Sequence, residues 1–324
     1  MTGAVEIIGT PASNTPAADD SIPTDASAAE SLAQWRDILT RIGAEEGSFE
    51  SLGASHVALF VEDGNTLLVS FETMQSARER PGQMPLAHDI AAARGWSHLC
   101  LMADGQTWFR DPAVYEFFDA KVDDDFFEGY ERVLFYGAGM GGYAACAFSV
   151  TAPGAQVLAL NPRATLDPAQ AGWDKRDRAR RSLDFTSRYG YAPDMLEGAA
   201  HAIVIHDPTI PEEAMHASLF RAPYITRLSA RHMGERIEWA LQNMGVLQEV
   251  IEATLSRRLT PQGFARIWRK RRDFGPYLRA LLAKAESSNR SGLEMMICRS
   301  VTRRLKAPRF ARRLATLTAE KGAQ

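Results

Sequence analysis

The sequence predicts an α/β fold with a mostly parallel sheet, and three observations lead to this class. Short β-rich runs alternate with helical runs between about residues 55 and 250, as in domains whose helices cover both faces of a sheet. The strand 132–136 leads through a glycine-rich turn directly into a small-residue helix, 143–149. Beyond Gly245 the β-rich runs stop, and helical segments follow.

Composition and pattern divide the chain into four parts. Residues 1–30, rich in Ala, Thr, Ser, Pro and Asp, predict a flexible leader. Residues 31–50 predict a helix, because apolar side chains recur at helical spacing from Leu32 to Ile42 and Gly43 follows. The α/β domain spans 51–250, and a basic helical C-terminal extension spans 251–324.

Seven β-rich runs make up the predicted sheet. The first two are separated only by the turn residues 62–65 and predict a hairpin. The later ones are apolar throughout, which indicates buried parallel strands joined through helices. In chain order the runs are 57–61, 66–71, 99–102, 132–136, 156–160, 202–205 and 224–228.

Composition excludes several classes of protein. The chain has 324 residues, 45% hydrophobic and 24% charged, which is typical of a globular protein and neither disordered nor membrane-spanning. Its three cysteines are widely spaced and form no C-x-x-C, so we expect no disulfide framework, zinc site or dithiol centre. Without a signal peptide or an 18-residue apolar run, a cytoplasmic location is expected and an integral membrane protein is not.

Charge is distributed unevenly along the chain. The net charge is −3, but the segment from Thr254 onward holds 18 Lys and Arg against 4 Asp and Glu, leaving 19 basic and 36 acidic residues before it. Opposite charges favour association, so we expect the basic helices to dock on the acidic body or on that of a second copy, giving a homo-oligomer. No nucleic-acid motif accompanies the basic segment, and a nucleic-acid partner is not expected.

The glycine turn 137–142 is the most informative segment. Gly137, Gly139 and Gly142 match the dinucleotide fingerprint G-x-G-x-x-G, in which helix amides bind phosphate. Such a site expects an acidic residue at the end of the next strand. That strand instead ends in Asn161-Pro-Arg163, without a carboxylate. A nucleotide-dependent oxidoreductase therefore stays an alternative.

The same turn resembles the nucleophile elbow G-x-S-x-G of the α/β-hydrolase family. Gly137, Gly139 and Gly141 fit this motif with glycine at the position of the serine nucleophile. Chain order agrees with the family, because Asp207 ends a later strand and His232 follows the last one. The resemblance covers roughly residues 55–250 and implies an α/β-hydrolase-like sheet with Asp207 and His232 as the remaining triad residues. Taken alone, Asp207 also suits a turn, and His232 also suits a helix start.

The missing serine determines the predicted function. Glycine has no side chain that could form an acyl-enzyme, so a conventional serine hydrolase is excluded. We expect a catalytically degenerate protein that binds a small molecule or a protein partner in the former active-site crevice. The alternative is a hydrolase or acyltransferase that works through Asp207 and His232 without a serine.

Candidate ligand-binding residues come from the turn and from loops at the carboxyl ends of strands, where ligands of α/β folds bind. No pair of histidines has metal-ligand spacing, and we expect no metal and no cofactor. The candidates are Ser70, Trp108, Arg110, Gly137, Met140, Asn161 and Arg163.

A second resemblance concerns the whole chain. It is similar to a group of bacterial proteins that share Phe135-Tyr-Gly-Ala-Gly, Ala164-Thr-Leu-Asp-Pro168 and the run 183–195, and that are often called phosphoadenosine phosphosulfate reductase. The resemblance implies sulfonucleotide reduction. The S-G-G-x-D-S loop and the E-C-G-x-H cysteine of that enzyme family are absent from this sequence, and Cys298 lies in Met296-Ile-Cys-Arg299.

Overall fold

A computed structural model describes residues 24–322 of the chain, and within them an eight-stranded sheet forms the centre of the fold. The strand order across the sheet is β1-β2-β4-β3-β5-β6-β7-β8. The strands are β1 (Gly47–Leu52), β2 (His56–Val61), β3 (Thr66–Thr73), β4 (Ser97–Ala103), β5 (Arg132–Ala138), β6 (Gln156–Leu160), β7 (His201–His206) and β8 (Ile225–Ser229).

Most neighbouring strands run parallel. β3 to β8 form parallel pairs throughout, and only β2 runs antiparallel to its neighbours β1 and β4. The predicted α/β class, a mostly parallel sheet with helices on both faces, is confirmed. Because the parallel strands share one direction, their carboxyl ends lie along one edge, where the loops after β3, β5, β6 and β8 meet.

Helices cover both faces of this sheet. One core packs the buried helix α5 against Leu67, Val69 and Phe135, and the other packs later helices against Leu68, Leu134 and Leu158. The helices in the first half are α1 (Leu32–Glu46), α2 (Met74–Arg78), α3 (Leu86–Ala92), α4 (Pro112–Asp123), α5 (Met140–Phe148) and α6 (Pro168–Ala171). Those in the second half are α7 (Pro211–Leu219), α8 (Ile237–Asn243), α9 (Leu247–Leu255), α10 (Pro261–Ile267), α11 (Gly275–Ser287), α12 (Ser291–Thr302) and α13 (Pro308–Gly322).

The predicted hairpin between the first two β-rich runs is wrong. β4 lies between β2 and β3, and β2 forms its hairpin with β1 instead. Residues 62–65 are held by the start of β4, because Ser97 Oγ accepts from the Asp63 amide at 2.9 Å and donates to Gly64 O at 2.8 Å. These contacts turn the chain away from β2, so that β3 pairs on the other side of β4.

The N-terminal boundaries also differ from the prediction. Residues 1–23 of the predicted leader lie outside the described residues, but residues 24–30 pack on the domain. Ala26 is fully buried, and its amide donates to Gly82 O at 3.0 Å. α1 follows with a capping box between Ser31 and Gln34, and it ends at Glu46 because β1 occupies the rest of the predicted helix 31–50.

The C-terminal extension joins the body gradually. α9 crosses the predicted boundary at residue 250, and Phe264 and Trp268 belong to the core of the body. From α11 onward the helices have a core of their own, which includes Leu282, Cys298 and Phe310. The independent part of the extension therefore begins near residue 275.

The basic side chains of the extension contact the acidic body less than predicted. Within residues 254–322, only Arg304 and Arg313 form ion pairs, and their partners are Asp273, Glu286 and Glu294 of the extension itself. Most of the other arginines and lysines of this segment are exposed. The positive charge therefore faces solvent.

Two further expectations concern cysteines and membranes. Cys100, Cys146 and Cys298 are all buried and free. Among residues 24–322, no helix combines the length and apolar character needed to cross a bilayer.

Candidate functional site

The glycine turn has an unusual conformation at its centre. Gly139 lies between β5 and α5 with φ 56° and ψ −116°, in the positive-φ region that side chains rarely adopt. Its amide donates to Leu160 O at 2.8 Å, which fixes the turn to the neighbouring strand. A Cβ built on Gly139 would meet no atom within 4 Å. A side chain at this position would therefore project into open space.

The flanking glycines are required by close packing. A Cβ on Gly137 would lie 2.2 Å from Gly141 O, and one on Gly141 would lie 2.2 Å from Phe71 O. A Cβ on Gly142 would lie 2.9 Å from Leu160 O. The backbones of β3, β5 and α5 thus approach so closely that only glycine fits. This packing accounts for Gly137, Gly141 and Gly142, whereas Gly139 differs in its positive φ and has no close contact.

A cavity of about 520 Å³ opens above Gly139, within the usual range for small-molecule sites. Its walls come from the loops after β3, β4, β5, β6 and β8. Five of the ten predicted site residues line it, namely Trp108, Gly139, Met140, Asn161 and Arg163. The other five, Ser70, Arg110, Gly137, Asp207 and His232, are not among its lining residues.

Asp207 is fully buried and serves the backbone. Its carboxylate accepts hydrogen bonds from the Thr209 amide and hydroxyl at 2.8 and 2.7 Å, and from the Gly234 amide at 2.8 Å. Burial pushes its pKa upward, but these bonds and one from the His232 backbone outweigh burial, so the pKa lies below its ordinary value. The carboxylate holds the loop 232–234 onto the end of β7.

The His232 side chain has no corresponding partner. Its φ is +67°, and Nδ1 is buried without a hydrogen bond to any residue in 24–322. Burial lowers the pKa of the imidazole, and the nearby positive charge of Lys284 lowers it further. Asp207 therefore meets His232 through the main chain, and not through the ring as a working triad requires.

Ser70 and Arg110 point elsewhere. Ser70 Oγ lies 2.8 Å from Nε2 of the buried His98. The Arg110 guanidinium donates to Asp184 O at 2.6 Å and to Arg188 O at 2.9 Å, with its plane over the Tyr115 ring. Arg110 thus stabilises a segment more than seventy residues away along the chain.

Trp108 and Met140 form one wall of the cavity. The Trp108 amide donates to Met140 Sδ at 3.0 Å, and φ of Trp108 is +56°. The indole ring packs edge-on against Tyr143 and Phe185. Most of the ring is therefore part of the core, and only its margin reaches the cavity.

An ion cluster forms the opposite wall. Arg163 donates to Glu213 at 2.8 Å and to Glu235 at 2.9 Å, and Arg176 bonds the same two carboxylates at 2.7 and 2.8 Å. Asn161 donates to Glu213 at 2.8 Å and to Gly234 O at 3.2 Å. The cluster joins the loops after β6 and β8 to α7, so this wall is rigidly connected.

Two carboxyl groups in the cavity had no signal in the sequence. Glu238 lines the cavity, and Tyr136 Oη donates to its Oε1 at 2.5 Å. Burial raises the pKa of Glu238, and the nearby negative charge of Glu72 adds to this. Glu72 bonds Arg80 at 2.7 Å and accepts from the Leu86 amide at 2.7 Å. Glu235 and Glu238 both follow β8 and line the cavity, and of the two Glu238 is the one bonded to a tyrosine and not to an arginine.

The chain is similar in fold to several solved structures at low sequence identity. A structure of the Glycosylation Associate Protein (Gap123) complex from Streptococcus agalactiae matches with TM-score 0.44 and 13% identity, over 65% of this chain and 46% of that chain. Est1E from Butyrivibrio proteoclasticus matches with TM-score 0.43 and 10% identity, over 65% and 97%. An esterase from Pyrobaculum calidifontis matches with TM-score 0.42 and 12% identity, over 69% and 90%.

These similarities say nothing about a substrate. The matched part spans less than half of the Gap123 chain. No protein-family model matches the sequence, and no curated protein matches it.

Proposed function

We propose that this protein is an α/β-hydrolase-fold binding protein whose former active-site crevice holds a small molecule without cleaving it through a serine. The supporting observation is Gly139. The turn has the strained conformation of an elbow and opens into a cavity of about 520 Å³, but the position carries no nucleophile. The crevice is thus shaped for a ligand and lacks the group that would attack it.

Filling the cavity tests this proposal. Gly139→Phe places a phenyl ring in the open space, and Gly139→Ala introduces the same backbone strain with almost no added volume. A small-molecule library is screened by thermal shift against the wild type and both variants, after circular dichroism confirms that each is folded. We expect ligands that bind the wild type and Gly139→Ala and fail to bind Gly139→Phe. Equal binding to Gly139→Phe contradicts the proposal.

A serine-independent hydrolase or acyltransferase is the second candidate, and Glu238 is the observation that favours it. This carboxyl, with its raised pKa, lines the same cavity as Gly139 and is suited to proton transfer. Turnover of activated esters that disappears in both Glu238→Gln and Gly139→Phe would support this candidate. Turnover that depends on His232 would instead support the triad alternative.

We also propose a protein partner for the C-terminal extension, with a second copy of the chain as the first choice. The exposed basic side chains of residues 254–322 have few ionic partners within their own chain, and the preceding body is acidic. Light scattering at low and high salt tests this. We expect self-association at low salt that is lost at high salt and in an Arg299→Glu, Arg303→Glu variant. A monomer at every salt concentration contradicts homo-oligomerisation.

A further inference from the structure

More carboxyl groups than guanidinium groups line the cavity. Four carboxyl groups line it, those of Glu72, Asp177, Glu235 and Glu238, against the two guanidinium groups of Arg163 and Arg236. Arg163 is already bonded to Glu213 and Glu235. The carboxylates are paired as well, Glu72 with Arg80, Glu235 with Arg163 and Arg176, and Asp177 with Arg163. An anionic ligand would therefore find the buried cation occupied, which disfavours its binding.

The remaining cation lies over an aromatic ring. The Arg236 guanidinium carbon is 3.9 Å from the centre of the Trp239 ring, and Arg236 is exposed. A guanidinium in this position interacts with the ring face and also offers N–H donors to a neutral oxygen. The pair forms a flat polar edge to the cavity.

Residues that line the cavity carry both acceptors and donors without a hydrogen-bond partner among residues 24–322. Asn161 uses Nδ2 to donate to Glu213 and Gly234 O, and its Oδ1 has no donor there. Asp177 Oδ2 has no hydrogen bond either, although Arg163 lies 3.6 Å from it, and Trp108 Nε1 is a donor without an acceptor. A ligand that suits these walls has to donate and to accept hydrogen bonds. Hydroxyl groups do both without a charge.

Glu238 has one carboxyl oxygen left for a ligand. Because Tyr136 Oη donates to Oε1, a ligand would meet Oε2, which accepts when the carboxyl is ionised and donates when it is neutral. Within the described residues, the bond from Tyr136 is the only hydrogen bond to this carboxyl. A protonated acid in the cavity can donate to a ligand oxygen, as buried carboxylic acids do in other sites.

We propose that the cavity above Gly139 binds an uncharged, hydroxyl-rich molecule of the saccharide class, with Glu238 as the carboxyl that contacts it. This inference rests on the proposed function and names its ligand class. It also argues against a sulfonucleotide, because Arg163 is already paired and Arg236 is the one other cation among the described lining residues that could meet a polyanion.

Matched probes test the ligand class by calorimetry and thermal shift. Methyl glucoside and maltose are the uncharged probes, glucose 6-phosphate and glucuronic acid the anionic ones, and glucosamine the cationic one. We expect an uncharged probe to bind the wild type at least tenfold more tightly than either anion. Tighter binding of an anion or of glucosamine overturns the proposal.

Two variants test the role of Glu238. Glu238→Ala is expected to weaken binding of the uncharged probe at least tenfold. Glu238→Gln keeps a hydrogen-bond donor, so it is expected to weaken binding of the probe less than Glu238→Ala does. It should also remove any change of affinity with pH that comes from titration of this carboxyl. Glu249→Gln on the adjacent helix α9, exposed and outside the cavity, is the control and should bind as the wild type does. Unchanged binding by Glu238→Ala overturns the assignment.

The two proposals fail in different ways. If any probe binds the wild type and is excluded by Gly139→Phe, the crevice is a binding site whatever its ligand class. If anions bind there, only the saccharide inference falls. If nothing in the library or among these probes binds, the proposed function falls with it.

Discussion

The glycine turn and the Asp207 loop differ in which part of the predicted triad arrangement they contain. At the turn, the backbone conformation and the open space above Gly139 are present and the reactive side chain is absent. At the loop, Asp207 and His232 are present, but the carboxylate bonds main-chain amides and Nδ1 of the imidazole has no partner in the described chain. The turn thus has the predicted backbone geometry without a nucleophile, and the loop has the predicted residues without a hydrogen bond between their side chains.

The largest loss of stability is expected from a substitution in the closely packed glycine turn. Gly141→Ala would place a Cβ 2.2 Å from Phe71 O, where neither backbone can move without displacing β3 or α5. We expect destabilisation of more than about 4 kcal/mol, seen as loss of soluble folded protein or a steep fall in the urea midpoint. Gly154→Ala, at a positive-φ turn where a Cβ meets no atom within 4 Å, is the control. A Gly141→Ala protein as stable as this control would refute the close packing.

The next largest effect is expected at the loop. Asp207→Ala removes the acceptor of three hydrogen bonds from Thr209 and Gly234, and we expect a loss of about 2–4 kcal/mol in unfolding free energy. The pKa of Asp207 is lowered in the folded state, so its contribution is complete above pH about 4 and declines as pH falls through the folded pKa. The gap between wild type and variant should therefore narrow in acid. Asp104→Ala, an exposed carboxylate after β4, should change stability by less than about 0.5 kcal/mol.

A serine introduced at the turn tests whether the predicted triad is assembled. Gly139→Ser adds a hydroxyl where space is open, at a strain of about 1–3 kcal/mol from the positive φ. Because the His232 ring is not bonded to Asp207, we expect no esterase activity above that of Gly139→Ala with p-nitrophenyl acetate. Activity that appears in Gly139→Ser and disappears in Gly139→Ser, His232→Ala would show that the triad is assembled.

The smallest change in stability is expected from a substitution of His232. His232→Asn keeps a residue that tolerates the φ of +67° and removes a ring whose Nδ1 has no hydrogen bond in the described residues. We expect a change in unfolding free energy below about 1 kcal/mol, measured by urea denaturation. A loss as large as that of Asp207→Ala would mean that the imidazole stabilises the loop.

Structure set by neighbouring residues could be predicted from the sequence, and contacts between residues far apart in the chain could not. Short runs of neighbouring residues determine the glycine turn and most strands. The strand, turn and helix within residues 132–149 could therefore be predicted from that segment alone. The position of β4 between β2 and β3 depends on Ser97 bonding residues thirty-three and more positions away, which no local pattern reveals. Arg110 and Glu238 show the same limit, since their partners are distant carbonyl groups and a tyrosine on another element.

The ion cluster has a consequence for the kinetics of binding. Arg163 and Arg176 link carboxylates from α7 and from the loop after β8, so this side of the cavity keeps its shape before any molecule arrives. A preformed site needs little loop ordering on association. Arrival of a small molecule should then follow simple one-step kinetics, with an observed rate that rises in proportion to concentration and shows no plateau from a slow conformational step.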